Sequence, residues 1–212
     1  LLRQITDVVL VPEQREFVSW ESYYWHNLLH ELSHGMGPGV IKVKGEEITV
    51  AKALKELYVP LEELKAEALG FWMVGYLVEA KFFPPKMLKE SALMSLPGFF
   101  RAARFGLDEA HGMSALMFFS YLLDAGVFQY DTPSKEYRVD ESKFLKAVTD
   151  LSRDIMVIQA TGDYQAAQAF KERYLRVPPL AKRLLGHLGH IPVDIEPDFV
   201  MARSIVASVE KK

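Results

Sequence analysis

Apolar and polar residues follow one another mostly at helical intervals. From residue 18 to 34 the apolar positions recur every three to four residues, with Leu28, Leu29 and Leu32 forming a stripe. The run stops at Gly35-Met36-Gly37-Pro38-Gly39, where glycine and proline cannot continue a helix. Residues 40 to 50 then alternate apolar and polar on both sides of Gly45, which predicts a two-stranded hairpin and is the only strong strand signal. Pro60 at a first helical position, with Glu62 and Glu63 in the first turn, opens a second long helix to about Lys81, which Pro84-Pro85 terminates. Further helices are expected over residues 86 to 93, 98 to 104, 108 to 124, 141 to 160, 164 to 175 and 179 to 188. The tail from Ile191 through Pro192, Val193, Asp194, Ile195 and Glu196 to Pro197 is too proline-rich for a helix and should lie extended over the surface. No repeat or linker interrupts this pattern. It predicts a mainly α fold, a single helical domain over residues 1–212 with one small β-hairpin.

Composition narrows the chemistry. Half of the 212 residues are hydrophobic and a quarter charged, the balance of a globular chain able to bury roughly 70% of its unfolded surface. There is no cysteine, which excludes disulfides, thiolate metal sites and a cysteine nucleophile, and leaves any metal to histidine and carboxylate. A net charge of −3 gives no electrostatic case for nucleic-acid binding. The longest uncharged apolar-rich stretch, Gly112 to Leu123, falls short of the roughly 20 residues of a membrane span, and Asp7 arrives before a leader's apolar core could form. No membrane partner and a cytoplasmic location are expected. Leu1 in place of a methionine suggests a piece of a longer protein, its C-terminal part.

One constellation carries chemistry. His30-Glu31-Leu32-Ser33-His34 fits H-E-x-x-H and falls on the first long helix, where residues four apart share a face. Both imidazoles can then meet one zinc ion, while Glu31 can reach a metal-bound water as general base. On the second long helix, Glu63 and Glu67 share a face, whereas Glu62 has Ala66 as its partner four residues on. Glu63 would be the third ligand, and Glu67 the outer carboxylate that orients a ligand histidine. Read alone, these glutamates could also be helix-dipole partners on a solvated face.

The set of motifs resembles the dipeptidyl peptidase III family of zinc peptidases, especially its bacterial and plant Nudix-fused relatives. It comprises His30 to Pro38, Glu62-Glu63-Leu64-Lys65-Ala66-Glu67, Glu109-Ala110-His111-Gly112, Gly162-Asp163 and Ile191 to Ile195, over a span from about Trp25 to Phe199. The resemblance implies the zinc-bearing helical lobe of such an enzyme. His30, His34 and Glu63 would be the Zn2+ ligands, Glu31 the base and Glu67 the outer carboxylate. His111 matches a histidine that faces the metal and helps to hold substrate and the developing oxyanion; without the resemblance, local capping or packing is its simpler reading. The chain departs from the best-known members in three ways. It has the regular five-residue spacing where they have an extra residue, and Ala115 and Leu116 where they carry an arginine. It also lacks any stretch that could encode their second lobe.

The expected activity is therefore hydrolysis of a peptide or small amide substrate, with a missing N-terminal lobe or Nudix domain as the expected partner. A catalytically silent, zinc-stabilised structural or interaction domain is the alternative. Among the remaining candidates, His26 is one turn before His30 and reads as an outer or alternative ligand or as plain packing, while His187 and His190 read as surface residues. Arg101 and Arg104 could meet a substrate carboxylate or line a solvated face, and Ser33 has no histidine spacing that marks a nucleophile. The aromatic residues at Trp20, Tyr23 to Trp25, Phe71, Trp72, Phe82, Phe83, Phe118, Phe119 and Tyr121 are expected to build core, some lining a cleft.

Overall fold

A computed structural model describes residues 1–194 of the protein. In chain order it comprises α1 (Leu2–Val9), α2 (Trp20–His34), the hairpin β1 (Val40–Val43) and β2 (Glu46–Thr49), α3 (Val50–Leu54), and α4 (Tyr58–Glu79). Then follow α5 (Lys86–Ala102), α6 (Ala110–Asp124), a second hairpin of β3 (Phe128–Asp131) and β4 (Glu136–Val139), α7 (Glu141–Thr161), α8 (Tyr164–Tyr174) and α9 (Pro179–His187). Both hairpins are antiparallel, with Val40 opposite Thr49 and Phe128 opposite Val139. None of the described helices is long and apolar enough to cross a membrane.

Helix α4 is the axis of the molecule. It is apolar on nearly every side, burying Leu61, Leu64, Ala68, Phe71 and Val74, and α2, α5, α6 and α7 all pack on it. Phe71 joins three of these elements: it stacks on Phe118 of α6 at 5.4 Å and meets Phe144 of α7 edge-on at 5.2 Å. Pro60 sits within the first turn of α4, where its missing N–H has no intrahelical acceptor to lose.

The structure corrects the sequence pattern in several places. Helix α2 starts at Trp20 because the Ser19 hydroxyl accepts the Ser22 N–H and caps it. Its buried face is Ser22, His26, Leu29 and Ser33, while Leu28 and Leu32 are exposed, so the helix turns its polar stripe inward. The two helices expected around residue 95 are one: α5 runs through Pro97 because Ser91 to Pro97 are buried throughout, and that packing outweighs the roughly 3 kcal/mol cost of an interior proline. The second hairpin was not expected; its buried Phe128, Tyr137 and Val139 alternate with polar neighbours around a turn containing Pro133. Trp20, Tyr24 and Phe82 are exposed, not core, whereas Phe71, Phe118 and Phe119 are buried. Ile191 is also buried, its N–H on the Leu188 carbonyl and its own carbonyl accepting from Arg104, so the tail is anchored at its start. Ile195 to Pro197, and the resemblance as far as Phe199, lie outside the described residues. His187 and His190 are exposed, as expected.

Candidate metal centre

Two helices that touch backbone to backbone build the site. A side chain at Gly70 of α4 would place its Cβ 3.1 Å from the His30 nitrogen and 3.3 Å from the His30 Cα, so glycine permits the approach just where the motif sits. From α2, His26, His30 and His34 project toward α4 at four-residue intervals; from α4, Glu62, Glu63 and Glu67 meet them. The Nε2 atoms of His30 and His34 lie 3.3 and 3.7 Å from Glu63 Oε2, and His111 Nε2, from the first turn of α6, lies 3.3 Å from the same oxygen. One ligand atom from each of His30, His34 and Glu63 falls within 4.8 Å of the others.

Both ligand-candidate histidines are held from behind. His30 Nδ1 is 3.2 Å from Glu67 Oε2, and His34 Nδ1 is 3.2 Å from Glu62 Oε1. With each Nδ1 held on a carboxylate, both Nε2 atoms are turned toward Glu63, the ring orientation that ligation through Nε2 needs. Glu62 is the residue that sequence reasoning set aside for lack of a partner at Ala66. The missed signal was arithmetic: two ligand histidines need two acceptors, and a helix turning about 100° per residue puts Glu62 and Glu63 on adjoining faces. His26 is buried, stacks on Phe71 at 3.7 Å and lies 3.1 Å from Glu67 Oε2, so it supports the outer carboxylate. His26, His30 and Glu67 also have ligand atoms within 4.8 Å of one another, but His26 Nε2 and His30 Nδ1 are engaged with Glu67 in hydrogen bonds, while His26 Nδ1 is buried without a hydrogen-bond partner among the described residues.

Electrostatics follow from this crowding. Burial pulls the His30 imidazole down, but the Glu63 and Glu67 carboxylates on its two nitrogens outweigh it and raise the group to about 10. The His30 ring beside Glu63 holds that carboxyl low against its burial, with the charges of His111, His30 and His34 adding to the effect. Burial pushes Glu67 up, yet His26 and His30 bring it well below the usual carboxylate range. The centre is built to concentrate negative charge around imidazole, which a divalent cation can share by displacing the His30 proton.

One atom tests whether a metal fits. Glu63 Oε2 is buried, close to three imidazole nitrogens, and has no hydrogen bond of good geometry among the described residues. An unpaired buried carboxylate oxygen is costly unless something else satisfies it. Two imidazoles and a carboxylate converging on one point is also the donor set of open catalytic zinc sites. The residues fit.

A cleft of about 410 Å³ opens over this centre, its walls including Glu31, His111 and Arg101 along with Tyr23, Phe99 and Phe105. Glu31 is exposed to it, and His111 is three-quarters exposed. His111 is brought there by Gly112, where a Cβ would come 1.8 Å from the Gly106 carbonyl oxygen. The two arginines separate: Arg101 lies in the cleft wall against the Tyr23 and Phe105 rings, whereas Arg104 turns away to the Ile191 carbonyl. Ser33 donates to the Leu29 carbonyl and is buried.

Comparison with known proteins follows the same lines. The chain resembles solved dipeptidyl peptidase III structures over nearly its whole length. The Caldithrix abyssi protein superposes with a TM-score of 0.93 at 38% identity, over 96% of this chain and 39% of that one. The protein from Corallococcus sp. strain EGB gives a TM-score of 0.92 at 34% identity, over 98% of this chain and 38% of that one. Nudix hydrolase 3 of Arabidopsis thaliana is 34% identical over 209 residues, 97% of this chain and 27% of that protein. The chain thus spans well under half the length of each relative. No protein-family model matches the sequence.

Proposed function

We infer that the protein is a zinc-dependent metallohydrolase of dipeptidyl peptidase III type, acting on peptide or small amide bonds. The observation that carries this reading is the buried Glu63 Oε2, without a hydrogen bond among the described residues and faced by the Nε2 atoms of His30, His34 and His111. His30, His34 and Glu63 would hold the ion, Glu67 and Glu62 keeping the two rings in the ligating orientation. Zinc bound there would supply a Lewis acid for a carbonyl and for water. Glu31, exposed in the cleft and next in sequence to His30, takes the proton from the attacking water and returns it to the leaving amine. His111 donates from its ring to the carbonyl oxygen as charge develops on it. The names and close superposition of the two peptidase structures support the same chemistry.

Metal analysis of the purified protein is expected to give one zinc per chain, lost in His34→Ala and Glu63→Ala; an unmutated protein without stoichiometric zinc would overturn the assignment. A panel of dipeptidyl-arylamides should then show hydrolysis that Glu31→Gln abolishes. A second reading is favoured by the limited span of this chain within its relatives. In it the domain binds zinc for structure or interaction, and substrate contacts come from the parts of those longer proteins that this chain does not match. It predicts a zinc-dependent melting temperature and no change on Glu31→Gln.

A further inference from the structure

Lys65 is a lysine buried to 2% exposure beside the metal centre, and it is not among the residues that line the cleft. Its ammonium makes three contacts: Glu62 Oε1 at 2.6 Å, the Met36 carbonyl at 2.6 Å and the His34 carbonyl at 3.4 Å. The other oxygen of Glu62 accepts from Gln159 Nε2 of α7 at 2.9 Å. Glu62 is therefore held at both oxygens while its Oε1 also takes the Nδ1–H of His34. Among the described residues no comparable clamp grips the other ligand-candidate histidine, whose Glu67 is supported by His26 alone among side chains outside the ligand set.

A lysine loses its hydration on burial and stays only where charge and acceptors replace it. Here the replacement consists of one carboxylate, the His34 carbonyl at the negative pole of the helix that carries the motif, and the Met36 carbonyl in the turn just beyond it. Lys65 so ties three things together: the end of α2, the rotamer of Glu62 and, through Glu62, the ring of His34. Without it Glu62 would keep only neutral donors and the helix end would lose its cation.

We propose that Lys65, assisted by Gln159, is a positioning residue that sets the zinc affinity of the site by fixing Glu62 on His34 Nδ1. The inference rests on the metal centre proposed above. Outer groups of this kind typically change metal affinity 10- to 100-fold.

The test is zinc affinity of the whole chain, measured by competition with a chromophoric chelator, alongside the cobalt(II) absorption spectrum as a report on ligand geometry. Lys65→Met is expected to weaken zinc by about 10-fold or more and to shift the cobalt bands, with Lys65→Arg recovering part of the loss. In a Glu62→Gln background the same Lys65→Met change should cost at most about twofold, because the residue through which Lys65 acts is already altered. Unchanged zinc affinity in folded Lys65→Met overturns the proposal. So does an undiminished loss in the Glu62→Gln background, which would mean that Lys65 only stiffens the end of α2. Should Lys65→Met not fold, Gln159→Leu decides: a severalfold weakening upholds the clamp and wild-type affinity rejects it. A wild-type chain that takes up no zinc would instead bring down the metal-centre reading and this inference with it, whereas zinc-replete wild type with indifferent variants removes the inference alone.

Discussion

Single residues decide how close the parts of the site can come. Gly112 is the sharpest case, since a methyl group there would stand 1.8 Å from a backbone oxygen that no rotamer change can move. Gly112→Ala should cost about 1–3 kcal/mol in denaturant unfolding, the usual range for overpacking, and shift His111 away from Glu63. Zinc stoichiometry should survive it while turnover falls, because His111 is outside the proposed ligand set; equal loss of both would mean that the first turn of α6 supports the metal directly. At this scale the sequence was informative wherever a motif fixes neighbours along one helix, as with His30, Glu31 and His34. It was silent where the partner comes from another helix without a motif to call for it: nothing in the spacing of Glu62 announces Gln159 of α7 or the Met36 carbonyl on Lys65.

Helices and strands were legible in proportion to their length and their caps. The long runs α2, α4 and α7 stand close to their expected limits, because capping and breaking residues act locally. Helix α5 was expected as two pieces because burial overrides its interior Pro97, whereas the second hairpin was missed because its four-residue strands are short, with Pro133 in the turn between them. Pro97→Ala restores a backbone donor while removing the buried ring from its neighbours. The two effects oppose, and a net stabilisation of about 1 kcal/mol is expected from urea midpoints; a marked loss would show that ring packing, not helix propensity, governs that turn. Gly70→Ala tests the contact of α2 with α4. Its new Cβ would press on the His30 backbone, so zinc affinity should drop together with melting temperature, whereas an unaltered site would mean that the helices have slack.

For the molecule as a whole, the mainly helical single-domain plan was readable from periodicity and composition, and the structural relatives agree with it at TM-scores of 0.92 to 0.93. The closeness of the two halves of the metal centre was not readable, since it depends on which faces of α2 and α4 meet. Chelation of a zinc-loaded sample is expected to lower the melting temperature in proportion to ln(1 + [Zn]/Kd), restored by added zinc and absent in Glu63→Ala.

The acidic half of the centre belongs to the buried axis α4, and the imidazole half to α2, which shows solvent Trp20, Tyr24, Leu28 and Leu32 along one side. A cation bridging the two acts on unequal partners. Amide hydrogens of α4 should exchange at the pace of global unfolding whether or not the ion is present, while those of α2 should quicken when it is withdrawn. Metal loss would then be felt as the loosening of one helix from an otherwise intact body, and α2 would become the place where a protease first finds the chain.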